Sequence, residues 1–122
     1  MKIDIHVHTK KAKTGDSELR FVNVDKFGDI IRSTDVKILA ITNHNHFDLS
    51  QFDHFKSEVE GVCQIWPGIE LDILENGKRA HLIVIVNPHN SNTFNVCVQK
   101  LLINKTADNF TISLKDTVDN FD

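Results

Sequence analysis

The run Lys37-Ile38-Leu39-Ala40-Ile41-Thr42-Asn43-His44-Asn45-His46 decides the fold. Its first half is a short apolar strand, and a polar cluster begins the moment that strand ends. In open α/β sheets and in barrels, sites form at the carboxyl ends of strands. One stretch therefore predicts both the architecture and the place of its chemistry.

The flanking sequence extends the same reading. Residues 2–8 alternate strictly, with Ile3, Ile5 and Val7 on one face and Asp4, His6 and His8 on the other, a strand by its period of two. A loop rich in Lys, Thr and Gly runs from Thr9 to Asn23, after which Asn23 or Asp25 caps a helix bearing Phe27, Ile30 and Ile31. Ser50 and Asp53 predict a second capped helix carrying Phe52, Phe55 and Val59. Val62 to Trp66 reads as a third strand, stopped by Pro67-Gly68. Ile69–Leu74 and Arg79–Val86 then flank Glu75-Asn76-Gly77-Lys78, where Asn-Gly is a strong hairpin signal. Ser91 to Thr93 caps a helix with Phe94, Cys97, Val98, Leu101 and Leu102 as its apolar stripe. Ser113 and Asp116 open a last segment with Leu114, Val118 and Phe121. Strands alternating with helices imply parallel βα units, an α/β fold with mostly parallel strands and one hairpin.

At 122 residues the chain is one domain, or part of one. With 40% hydrophobic and 25% charged residues it has the makings of a core, and a net charge of −3 excludes a basic nucleic-acid arm and an acidic tail. No apolar run approaches the roughly 18 residues of a membrane span, and Asp4 and His6 interrupt any signal peptide. Cys63 and Cys97 lie in apolar runs and read as reduced core thiols of a cytoplasmic protein. There is no phosphate-binding Walker loop, dinucleotide fingerprint or nucleophile elbow.

The seven histidines are the unusual feature. His6 and His8 share a strand face at a spacing that suits one metal or an adjacent pair, against the alternative of an edge strand with one wet face. Asp4 continues that polar row. His44 follows the second strand, where a plain loop histidine is the rival reading; His46 is read as a bystander. A two-residue turn at Asn76-Gly77 pairs Asp72 with His81 and makes Glu70 the diagonal neighbour of His81, within reach of a shared metal. Asp72 itself is expected on a solvated face. Asp16 can swing back as a carboxylate ligand. Lys10, Lys11 and Lys13 stand at the expected mouth, where solvation is the commoner fate of such a run and phosphate attraction the functional one. His54 and His89 have no partner at ligand spacing.

Asp4-Ile5-His6-Val7-His8-Thr9, Ala40-Ile41-Thr42-Asn43-His44-Asn45, Pro67-Gly68-Ile69-Glu70 and His81 before an apolar strand resemble the successive motifs of the PHP (polymerase and histidinol phosphatase) superfamily. The resemblance covers residues 4 to about 86 and is nearest to PHP domains fused to ATPase-type proteins. It implies a distorted (β/α)7 barrel, of which this chain is the N-terminal half within a longer protein. It also implies a centre of two or three Zn, Mn or Fe ions that hydrolyses phosphate esters through metal-activated water. By motif the metal ligands are His6, His8, Asp16, His44, Glu70 and His81, while Asp4, Asn43 and Lys11 stand behind them or toward substrate. The implied partners are a phosphorylated small molecule or a nucleic-acid phosphodiester, with self-association or C-terminal domains of the longer protein and no membrane.

Two departures qualify the match. Asn43 stands where the family usually has Asp, and the later histidine and Asp-x-His ligands have no counterpart, because all seven histidines lie at or before His89. The alternative function is therefore a non-catalytic PHP module serving a structural or regulatory role in a larger ATPase-type assembly. The general acid, the metal and the substrate are not legible in the residues.

Overall fold

The computed structural model describes residues 1–17, 23–106, 108 and 112–121, so part of the loop expected between Thr9 and Asn23 lies outside the described residues. The strands are β1 (Lys2–Val7), β2 (Val36–Ile41), β3 (Gln64–Glu75) and β4 (Lys78–Ile85). The helices are α1 (Val24–Arg32), α2 (Leu49–Glu58), α3 (Ser91–Leu101) and α4 (Leu114–Phe121). They form a mixed α/β fold around one sheet of order β1-β2-β3-β4. The first three strands are parallel, and β4 returns antiparallel to β3.

The third strand does not stop at Pro67-Gly68; it runs through them for 12 residues. The reason is a change of partner. Residues 64–67 pair with β2 and residues 68–75 with β4. Proline thus sits where one ladder gives way to the other, a place that tolerates a missing N–H. Its carbonyl still accepts a hydrogen bond from the Val86 N–H at 3.0 Å. Glycine is needed next to it because a Cβ at residue 68 would lie 2.9 Å from Thr42 Cγ2 and 2.9 Å from the Val84 carbonyl oxygen.

The turn after β3 has Asn76 at φ 50° and Gly77 at φ 73°. Positive φ at both central residues is what a two-residue turn matched to strand twist demands. The resulting register pairs Glu75 with Lys78 and Asp72 with His81, as the Asn-Gly signal predicts. Along β3, Ile65, Ile69, Leu71 and Ile73 enter the main core, leaving Glu70 and Asp72 on the opposite face by the period of a strand.

The core joins that β3 face to Leu39 and Ile41 of β2 and to the buried stripes of the helices. Phe27 of α1 stacks on Phe55 of α2 with ring centroids 4.4 Å apart, and Phe47 packs edge-on against Phe94 of α3 at 4.8 Å. Asn23 caps α1, its side chain accepting from the Lys26 N–H, but Ile30 is exposed while Phe27 and Ile31 are buried. The cap of α2 is Asp48, not Ser50. A short 3₁₀ turn, Pro88–Asn90, leads into α3, so Ser91 to Thr93 lie inside the helix rather than capping it. In α4, Ser113 accepts from the Asp116 N–H as expected, yet Leu114 and Val118 are about half exposed. Only Phe121 of that stripe reaches the core, stacking on Phe94 at 5.5 Å. Cys63 is buried and Cys97 half-buried, both as free thiols.

At the sheet edge, the β1–β2 register slips between Asp4 and Val7. Strict alternation along residues 2–8 therefore does not yield a flat strand: Ile3 and Ile5 remain more than half exposed. Among the described residues, no helix is long and apolar enough to cross a membrane.

Candidate metal centre

Glu70 lies where β3 has just left β2, and its burial at 3% exposure comes with tight backbone anchoring. Its N–H donates to the Asn43 carbonyl at 3.1 Å, and its carbonyl accepts from the Asn45 N–H at 2.8 Å. These bonds bracket an isolated parallel bridge between His44 and Glu70, which extends β2 by one contact and sets the two side chains against each other.

Three imidazoles converge on one oxygen of that carboxylate. The Nε2 atoms of His6, His8 and His44 lie 2.9, 3.2 and 2.7 Å from Glu70 Oε2. His81 takes the other oxygen, its Nδ1 lying 2.7 Å from Oε1. The Nε2 atoms of His6 and His8 are themselves 3.1 Å apart. The rings form a row, with centroid spacings of 4.9 Å for His6–His8, 4.5 Å for His8–His44 and 5.7 Å for His44–His81. Burial pushes the Glu70 carboxyl up, but the hydrogen bond from His6 and the neighbouring imidazoles outweigh it and hold it below the ordinary carboxylate value.

The donor set fits a divalent cation. A carboxylate oxygen has two lone pairs, so three ring nitrogens around one oxygen exceed what hydrogen bonding alone organises. His–His–carboxylate is the borderline ligation that Zn, Mn and Fe accept. Among the described residues, His6, His8 and Glu70 form the group whose ligand atoms all lie within 4.8 Å of one another. His44 and His81 touch Glu70 from either side of that trio.

Asp16 approaches the site differently from the ligand role expected of it. Its Oδ1 lies 3.0 Å from Nδ1 of His44, the nitrogen turned away from Glu70, in a close contact not aligned as a hydrogen bond. Its Oδ2 accepts from the Ala12 and Lys13 N–H groups. Asp16 thus backs His44 rather than joining the trio.

Asn43 ties the ends of β1 and β2 together. Its Oδ1 accepts from the Thr9 and Lys10 N–H groups at 2.9 and 3.0 Å, and its Nδ2 donates to Thr9 Oγ1 and Gln51 Oε1. The amide uses both its acceptor and its donor, and among these partners there is no histidine. Asp4 also serves the backbone, accepting from the His6 N–H at 3.1 Å. Lys11 is exposed, and it is Lys13 that reaches the site side of the hairpin.

Asp72 was expected in solvent and is instead held on several sides. Lys13 Nζ lies 2.7 Å from Oδ2, Asn45 Nδ2 donates to the same oxygen at 3.0 Å, and His81 Nε2 lies 3.2 Å from Oδ1. The Asp72 N–H returns a bond to Asn45 Oδ1 at 2.8 Å. Burial raises the Asp72 carboxyl, but Lys13 and Asn45 outweigh it, and the net direction is down. The sequence signal for this role was present in the Asp72–His81 pairing itself.

His46 is half-buried, its Nε2 without a hydrogen-bond partner, and burial lowers its pKa. It has no contact with the four-ring row among those described. His54 and His89 are exposed.

No family model matches the chain, and no curated protein or solved structure matches it either.

Proposed function

We propose that this chain carries the metal site of a phosphoesterase, built as the N-terminal half of a PHP-type distorted (β/α)7 barrel. The observation that carries the reading is the convergence of three Nε2 atoms on Glu70 Oε2 at the carboxyl ends of β1 and β2. The four PHP-like motifs are the second support, since each contributes a residue to this one cluster.

His6, His8 and Glu70 would hold the ion, with His44 and His81 completing its surroundings. When bound, a divalent ion supplies Lewis acidity and lowers the pKa of coordinated water toward neutrality. The protein's own share is positioning. Asp16 restrains His44, the Asn43 amide fixes the loop after β1, and Asp72 holds His81 and Lys13 at the mouth. The reaction proposed is hydrolysis of a phosphate ester, of a phosphorylated small molecule or a nucleic-acid phosphodiester.

A specific observation favours a weaker activity in this chain than in a complete two-metal site. Two-metal hydrolysis places a second ion about 3.5–4 Å from the first, with its own ligands. Among the described residues one mutually close trio is found, which accounts for one ion. That observation also keeps the second reading in view, a metal-binding PHP module with a structural or regulatory role.

The test is turnover of a chromogenic phosphodiester with added Mn²⁺ or Zn²⁺, comparing wild type with His8→Ala. Slow turnover that His8→Ala abolishes supports the enzyme; metal uptake with no turnover on any phosphoester supports the module.

A further inference from the structure

The hairpin face that carries Glu70 and Asp72 has a third step. The cross-strand pairs along it are Glu70 with Ile83, Asp72 with His81, and Leu74 with Arg79. Arg79 is two residues from His81 and therefore shares its face, roughly 7 Å further toward the turn. Directly opposite Arg79 stands Leu74, not an acid. The diagonal acid, Asp72, is already engaged by Lys13, Asn45 and His81.

Among the described residues Arg79 makes no hydrogen bond or ion pair, and it is exposed. Lys10 and Lys13, by contrast, are each tied to an aspartate. Arg79, Lys13, Asp72 and His81 line one small cavity of about 150 Å³ beside the histidine row. Since Lys13 and Asp72 neutralise each other, the uncompensated charge facing that cavity among the described residues is the guanidinium. A planar guanidinium with its fork unoccupied is suited to phosphate, which it can bind through two parallel hydrogen bonds.

We infer that Arg79 and the cavity it shares with Lys13 and His81 form a phosphate subsite beside the metal ligands. The substrate then carries a second phosphate next to the ester that is cleaved. This deepens the phosphoesterase reading and rests on it for the identity of the cleaved bond. A nucleoside bisphosphate and a short single strand of nucleic acid both present that chemistry, whereas a phosphomonoester with a neutral remainder does not.

The experiment compares wild type with Arg79→Met, a substitution at an exposed position, in two arms, with circular dichroism of both proteins showing that the fold is kept. In the first, calorimetry measures binding of thymidine 3′,5′-bisphosphate and of thymidine 5′-monophosphate to the full chain, with and without Mn²⁺. Wild type is expected to prefer the bisphosphate, and Arg79→Met to lower that preference about tenfold, the scale of one charge-assisted contact. An equal preference in both proteins would exclude a small nucleotide as the occupant. In the second arm, kcat/KM is measured on a two-phosphate oligonucleotide and on a para-nitrophenyl diester, and the ratio between them is expected to fall by a similar factor. An unchanged ratio would exclude a strand as the occupant, and an unchanged ratio together with an equal bisphosphate preference would overturn the subsite. Absence of metal uptake and of turnover in wild type overturns the phosphoesterase reading instead, while the metal-free binding arm still decides the role of Arg79. Loss of preference for the bisphosphate without loss for the oligonucleotide would assign the subsite to a small nucleotide; the reverse would assign it to a strand.

Discussion

Asp16 Oδ1 lies 3.0 Å from Nδ1 of His44, behind a ring whose Nε2 lies 2.7 Å from Glu70. In the proposed metal site, a carboxylate in that position would fix the orientation of His44 beside the ion without touching the ion itself. Asp16→Ala is therefore expected to weaken Zn²⁺ or Mn²⁺ affinity about 10–100-fold, the usual effect of such outer partners, without abolishing it. A metal titration by competition with a chromophoric chelator measures this. Complete loss would make Asp16 a direct ligand.

The Asn43 amide satisfies two N–H groups in the turn after β1, and it is 2% exposed. Asn43→Ala leaves the buried Thr9 N–H without its partner, at a cost of about 1–3 kcal/mol. Urea denaturation of the metal-free protein should show a lower midpoint at an unchanged slope. An unaltered midpoint would mean that another acceptor takes over.

Gly68 has no space for a side chain, since a Cβ would press on the Val84 carbonyl and on Thr42. One of those contacts is backbone of the hairpin strand and yields poorly. Gly68→Ala is expected to cost about 1–3 kcal/mol through overpacking and to loosen the Glu70 side of the site with it. Thermal unfolding checks the first effect; a variant as stable as wild type would show that β4 can move aside.

Asp48 caps α2 and accepts from Lys10 as well as from the Gln51 N–H. Burial raises its carboxyl, but these two donors outweigh burial and set it below its ordinary value of 3.8. In the window between the folded and ordinary values the unfolded chain holds more protons. The contribution of Asp48 is thus complete above the ordinary value and is lost as pH falls through the folded one. Asp48→Ala should cost about 0.5–2 kcal/mol at neutral pH and less in acid. Urea midpoints at neutral and at acidic pH give the comparison. An equal loss at both would contradict the linkage.

Much of the site was legible because its signals were local. The alternation around His6 and His8, and the Asn76-Gly77 turn that pairs Asp72 with His81, each need only a few neighbouring residues. What escaped depended on partners distant in sequence. Pro67 looks like a stop until β3 is seen to exchange β2 for β4 there. Asp72 looks solvated until Lys13 and Asn45 arrive from two other loops. Asn43 reads as a lost charge until its amide is found bonding the turn after β1. Leu114 and Val118 have helical spacing, but spacing does not say whether a core lies beneath them, and here only Phe121 finds one.

The central claim is tested most directly by the metal content of the purified chain. Wild type, supplemented with Zn²⁺ or Mn²⁺ and then freed of loose ions by gel filtration, should retain about one equivalent by elemental analysis, the number that His6, His8 and Glu70 can hold. His8→Ala prepared identically should retain almost none. Wild type that emerges metal-free, or His8→Ala that retains as much as wild type, would contradict the account.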